Sequence, residues 1–62
     1  MKPKTFIKLI EEHGWYFVRQ RGSHKIFKHL EKENHLSVPV HGNKDMAEGT
    51  WKRLLRDAGI QF

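Results

Sequence analysis

The run Arg19-Gln20-Arg21-Gly22-Ser23-His24-Lys25 gathers three cations and one imidazole around a Gly-Ser pair. Gly-Ser between two stretches rich in aromatic and β-branched residues is the mark of a two-residue type II′ hairpin turn, where glycine supplies the positive φ of the first central position. Such a turn sets Arg21 and His24 opposite each other at an exposed hairpin end, with Arg19 and Lys25 flanking it. Clustered cations with freedom to reach suit phosphate groups. An imidazole beside a bound phosphate suits attack by a ribose 2′-hydroxyl on the adjacent phosphorus. The hydroxyl must lose a proton, and imidazole is the side chain whose ordinary pKa lies nearest neutrality. Guanidinium and ammonium groups then stabilise the charge that builds on the phosphorane oxygens. His24 is therefore the candidate general base, with Arg21 and Lys25 as electrostatic support and Gly22 setting the turn. The plain alternative is a solvated histidine at a strand end.

The other candidates offer less. His29, His35 and His41 recur every six residues, but no HxxxH or HExxH spacing sets two of them on one helix face, so no metal site is expected. His13, near the end of a helical segment, suits the negative end of the helix dipole. His41 ends Pro39-Val40-His41-Gly42, either at the margin of the basic surface or simply at the start of a loop. Ser23 has no His–Asp relay, and its place is beside a phosphate rather than as a nucleophile. No GxSxG elbow, phosphate-binding loop or carboxylate pair is present. Trp15 and Trp51 fall where core anchors are wanted. Lys52, Arg53 and Arg56 form either a solvated helix side or an extension of the phosphate footprint.

These residues need a scaffold, and the sequence outlines one. Pro3 to His13 reads as a helix, with proline at a first helical position and Phe6, Ile7, Leu9, Ile10 and His13 along one stripe. Gly14 closes it. Trp15 to Arg21 reads as a first strand and His24 to about Leu30 as a second. Glu31-Lys32-Glu33-Asn34 then reads as a polar turn, and His35 to Val40 as a third strand whose Pro39 argues for an edge. Trp15, Phe17, Val18, Ile26 and Phe27 share no single parity, so alternation alone leaves the covered face of each strand open. After a loop at Gly42-Asn43-Lys44, Asp45-Met46-Ala47-Glu48 fits a capping box with Asp45 as the cap and Glu48 reaching back. Trp51, Leu54, Leu55 and Ala58 form the apolar face of this last helix, and Gly59 stops it. Gly49 weakens its first turn by up to about 1 kcal/mol relative to Ala.

The expected fold is α+β, in the order α-β-β-β-α, with a three-stranded antiparallel sheet and two helices on one face. Double-stranded RNA-binding domains use this architecture to read A-form geometry through shape, 2′-hydroxyls and phosphates. Sixty-two residues make one domain, 1–62, with a core small enough to suggest a stabilising partner. The absence of cysteine excludes a disulfide framework and thiol chemistry. Twelve Lys+Arg against seven Asp+Glu give a net charge of +5, which favours a polyanion, with nucleic acid ahead of a membrane surface. No apolar run approaches the roughly 20 residues of a membrane span, no secretory leader pattern opens the chain, and the expected location is the cytoplasm.

Arg19-Gln20-Arg21-Gly22-Ser23-His24-Lys25-Ile26-Phe27 resembles the HicA toxins, the small YcfA-like mRNA interferases of bacterial type II toxin–antitoxin pairs. Gly14-Trp15, Val38-Pro39-Val40-His41, Gly49-Thr50 and Ala58-Gly59-Ile60 extend the likeness over nearly the whole chain. The resemblance implies a double-stranded-RNA-binding-like fold, sequence-relaxed cleavage of mRNA, a single catalytic histidine falling on His24, and no metal or other cofactor. It also implies a HicB antitoxin whose RNase H-like domain covers that histidine. It assigns no role to Arg21, Lys25 or His41. DNA and membranes are not expected partners. A non-catalytic RNA-binding module and a small basic protein-interaction domain are the alternatives. The group that protonates the departing 5′-oxygen stays open among His24 itself, His41, Lys25 and water.

Overall fold

Hydrophobic patterning and turn chemistry resolve into five elements in a computed structural model that describes residues 1–61. They are α1 (Pro3–Glu12), β1 (Trp15–Arg21), β2 (His24–His29), β3 (Lys32–Pro39) and α2 (Glu48–Asp57). The strands form one antiparallel sheet in the order β1-β2-β3. The α+β arrangement α-β-β-β-α is the expected one. No helix is long and apolar enough to cross a membrane among the described residues.

In α1, Pro3 fills the first turn, Phe6 and Ile10 are fully buried, and Ile7 and Leu9 pack partly against the core. Gly14 follows with φ +93°, a conformation that strains any residue with a Cβ. Space also demands glycine there, since a Cβ would lie 2.7 Å from His29 Nε2. The His29 ring is fixed from both sides. Its Nδ1 accepts the Glu31 N–H at 3.0 Å, so Nε2 bears the proton and donates to the His13 carbonyl at 2.9 Å. The ring also meets Trp15 edge-on at 5.2 Å. His29 thus pins the end of α1 to the turn between β2 and β3.

The register of β1 answers the parity question. Trp15 pairs with His29, Phe17 with Phe27, Arg19 with Ile26 and Arg21 with His24. Between Phe17 and Arg19 the register slips by one residue, so Val18 is a β-bulge. Alternation without it would put Trp15, Phe17, Arg19 and Arg21 on one face. With it, Trp15 and Phe17 turn to the helices while Arg19 and Arg21 turn to the open face.

Two boundaries differ from expectation. β2 ends at His29, and β3 begins at Lys32 rather than His35, because His29 pairs with Lys32 across a two-residue turn at Leu30-Glu31. The polar run that reads as a turn is the start of an edge strand, and Asn34 Nδ2 donates from it to the Asp57 carbonyl at 3.0 Å. The capping box does not form. α2 starts at Glu48, with Ala47 in the cap position and no side-chain cap. Met46 is buried and its N–H donates to the Met1 carbonyl at 2.8 Å, which holds this stretch outside the helix. Asp45 pairs instead with Lys2 at 3.2 Å, and Glu48 with Lys52.

The core lies between the sheet and the helices. Phe6 and Ile10 of α1, Leu54 and Leu55 of α2, and Ala58 just beyond it meet Trp15, Phe27, Leu36 and Val38, with Met46 and Ile60 closing the ends. Every strand residue in this cluster belongs to the same sheet face by register. The opposite face carries no helix and is open.

Two outcomes follow from these constraints. Gly14→Ala is expected to destabilise the domain by about 1–3 kcal/mol, read as a lower urea midpoint, because it combines a forbidden φ with a clash on His29. Deleting Val18 forces either Trp15 out of the core or Arg19 and Arg21 onto the helix side; a variant lacking Val18 that unfolds with the parental cooperativity and midpoint contradicts this account.

Candidate active site

Gly22 has φ +59° and no non-glycine residue has a positive φ among the described residues, so the β1–β2 turn has the sign pattern of type II′. Gln20 Nε2 donates to the Gly22 carbonyl at 2.9 Å, and the Val40 N–H donates to the Ser23 carbonyl at 2.7 Å. The hairpin tip is therefore held both from its own strand and from the end of β3. Arg21 and His24 pair across the turn, as the two-residue loop requires.

On the open face, rows of residues run across the sheet. Arg21, His24 and Pro39 make one row, and Arg19, Ile26 and Ser37 the next. The His24 ring leans from its own row onto the second, where its Nδ1 shares a 2.9 Å hydrogen bond with Ser37 Oγ. One residue pair further along β3, alternation brings His35 to the same face. Arg19, Arg21, His24, Ile26, His35 and Ser37 line a single cleft of about 400 Å³. Ile26 is its floor: only 8% exposed, it stands outside the helix-side core, covered by the polar side chains around it.

This arrangement has evident chemical competence. Two guanidinium groups present forked donors suited to phosphate oxygens. The imidazole is exposed, and the serine fixes one of its nitrogens, leaving Nε2 without a hydrogen-bond partner among the described residues. A hydroxyl both donates and accepts, so Ser37 can hold the ring in its neutral and its protonated form alike.

The structure gathers only part of the sequence-derived set. Arg19, Arg21 and His24 come together, with Gly22 and the half-buried Ser23 in the turn beside them. Lys25 does not join them. It pairs with Gln20 and Val38 on the helix side of the sheet, its ammonium lies 6.0 Å from the Phe17 ring centre, and it borders a different hollow with Lys4, Lys8 and Val40. His41 lies in the loop after β3, in a hollow with Lys44, Asp45 and Thr50. Lys52, Arg53 and Arg56 belong to α2, which packs on the covered face. There Lys52 bonds Glu48 at 2.6 Å and Arg53 reaches Asp57 at 3.5 Å. The Lys52 hydrogen bond and charge hold the Glu48 carboxyl below its usual pKa. Lys52 and Arg53 are thus engaged locally, and all three cations belong to the helix side of the sheet, away from the cleft.

Three lining residues were absent from the sequence-derived set, the floor residue Ile26 and the β3 residues Ser37 and His35. For the latter two the signal was parity: Leu36 and Val38 are the apolar positions of β3, so 35 and 37 must face the other way. Among the described residues no group of three His, Cys, Asp or Glu side chains converges as metal ligands do.

No curated protein of known function matches the chain. Residues 3–60 match the family described as the HicA toxin of bacterial toxin–antitoxin. That match takes in both helices, all three strands and every residue of the cleft. The chain belongs to the HicA toxin family of bacterial toxin–antitoxin systems.

Proposed function

We propose that this chain is the toxin of a type II toxin–antitoxin pair and acts as a metal-independent mRNA endoribonuclease with His24 as general base. The observation that carries the reading is the His24 ring, exposed between two guanidinium groups and bonded through Nδ1 to Ser37. With its Nδ1–H donated to Ser37 Oγ, the ring offers the Nε2 lone pair to a ribose 2′-hydroxyl. Nε2 takes that proton as the 2′-oxygen attacks phosphorus, and the imidazolium keeps its bond to the serine throughout. Arg19 and Arg21 hold the phosphate and meet the charge that grows on its oxygens. The apolar floor at Ile26 keeps water from one side of these groups and so strengthens their effect.

This reading places the chemistry on the solvent side of the sheet, which also makes it easy to cover. A HicB antitoxin laid across the open face would occlude His24 and both arginines together. It would meet the exposed Tyr16 of β1 beside them.

His24→Ala is expected to slow RNA cleavage by about 10²–10⁴-fold. Its thermal unfolding should match the parent's, because the ring is exposed and outside the core. Cleavage at the parental rate by this variant removes His24 as the base, and a parental chain that binds RNA without cutting it is a binding module instead. Cleavage should also persist in chelator, leave 2′,3′-cyclic phosphate and 5′-hydroxyl ends, and spare DNA and 2′-deoxy positions. Products ending in 3′-hydroxyl indicate hydrolysis by an activated water.

A further inference from the structure

Transfer to a 2′-oxygen needs two proton movements: one leaves the nucleophile and one reaches the departing 5′-oxygen. In an in-line displacement these oxygens lie on opposite sides of phosphorus, so one imidazole cannot attend both at once. The fold removes two of the candidates for the second role. Lys25 faces the helices, and His41 occupies a separate hollow.

We propose that His35 is the general acid of this cleft, an inference that rests on His24 being the base. His35 is exposed and lines the same cleft as His24. It stands two residues from Ser37 on the same face of β3, a backbone spacing of about 7 Å. His24 leans onto the Ile26–Ser37 row from one side, and His35 borders that row from the other. A phosphate over Ile26, held by Arg19 and Arg21, therefore sits between two imidazoles. No other group lining the cleft releases a proton near neutrality: guanidinium holds its own and a serine hydroxyl is too weak an acid.

The step balances. The 2′-O–P bond forms as the P–O5′ bond breaks. His24 Nε2 takes the 2′-hydroxyl proton, and protonated His35 gives one to the 5′-oxygen, which leaves as a hydroxyl. Water returns both rings to their starting forms. The charged and titratable groups around His35 come from the sheet alone, since no helix packs on this face. They are Arg19 and Arg21 on β1 and His24 on β2, which line the cleft with it, and Lys28, which shares the open face of β2 by register.

The test uses the full chain and an RNA in which the cleaved linkage carries either its ordinary bridging 5′-oxygen or a sulfur. Thiolate leaves without a proton, so the sulfur linkage needs a base but no acid. His35→Gln is expected to cut the oxygen linkage about 10²-fold or more slowly while keeping the sulfur linkage within about tenfold of parental, and to lose the alkaline fall of the pH–rate profile. His24→Ala is expected to be slow on both linkages. An equal loss on both linkages in His35→Gln, or no loss on either, overturns His35 as the acid and leaves His24 standing. Parental rates on both linkages in His24→Ala bring down the base assignment and the acid with it.

Discussion

The structure turns on one unpaired residue. Strand geometry alternates side chains with a period of two, and residues 15, 17, 19 and 21 would otherwise share a face. Two of them are aromatic, the core residue Trp15 and the exposed Phe17, and two are arginines. A regular strand cannot serve both pairs, since it would either desolvate the arginines on the helix side or turn Trp15 away from the core. The bulge at Val18 divides the strand into a half that builds the core and a half that serves the cleft. The cost is one ladder irregularity on an edge strand, where such irregularities are commonest.

This explains which features were legible in the sequence. The hairpin tip was, because Gly22-Ser23 is a local signal and its two-residue loop fixes the Arg21–His24 pairing without help from the rest of the chain. The helix stripes and the order of elements were legible for the same reason. The bulge was visible only as a broken parity, since nothing in Phe17-Val18-Arg19 says where the extra residue falls until β2 supplies a partner. The start of β3 was hidden by its polarity: Lys32 to Asn34 look like a turn, yet His29 sets the pairing and Asn34 finds its partner on α2. The direction of His35 follows from Leu36 and Val38, but only the pairing of the three strands brings it into one cleft with Arg19, Arg21 and His24. The capping pattern at Asp45 and Glu48 failed because burial of Met46 outweighs a surface cap.

Charge is likewise organised by the two sides of the sheet. A net +5 suggests one continuous basic surface, but the cations separate into groups with different surroundings. Arg19 and Arg21 share an open cleft with two imidazoles, whereas Lys52 and Arg53 are occupied by acidic neighbours one helical turn away. Both cleft cations are arginines, whose planar fork presents donors in two directions where an ammonium offers a point charge.

The helix-free face has an evolutionary corollary. Cohesion resides behind the sheet and the cleft in front of it, joined only through the backbone between them. Genetic lesions in front should therefore change the charge and lining of the cleft while sparing the outline of the molecule. Lesions behind have the reverse character, removing the whole protein from circulation rather than disarming it.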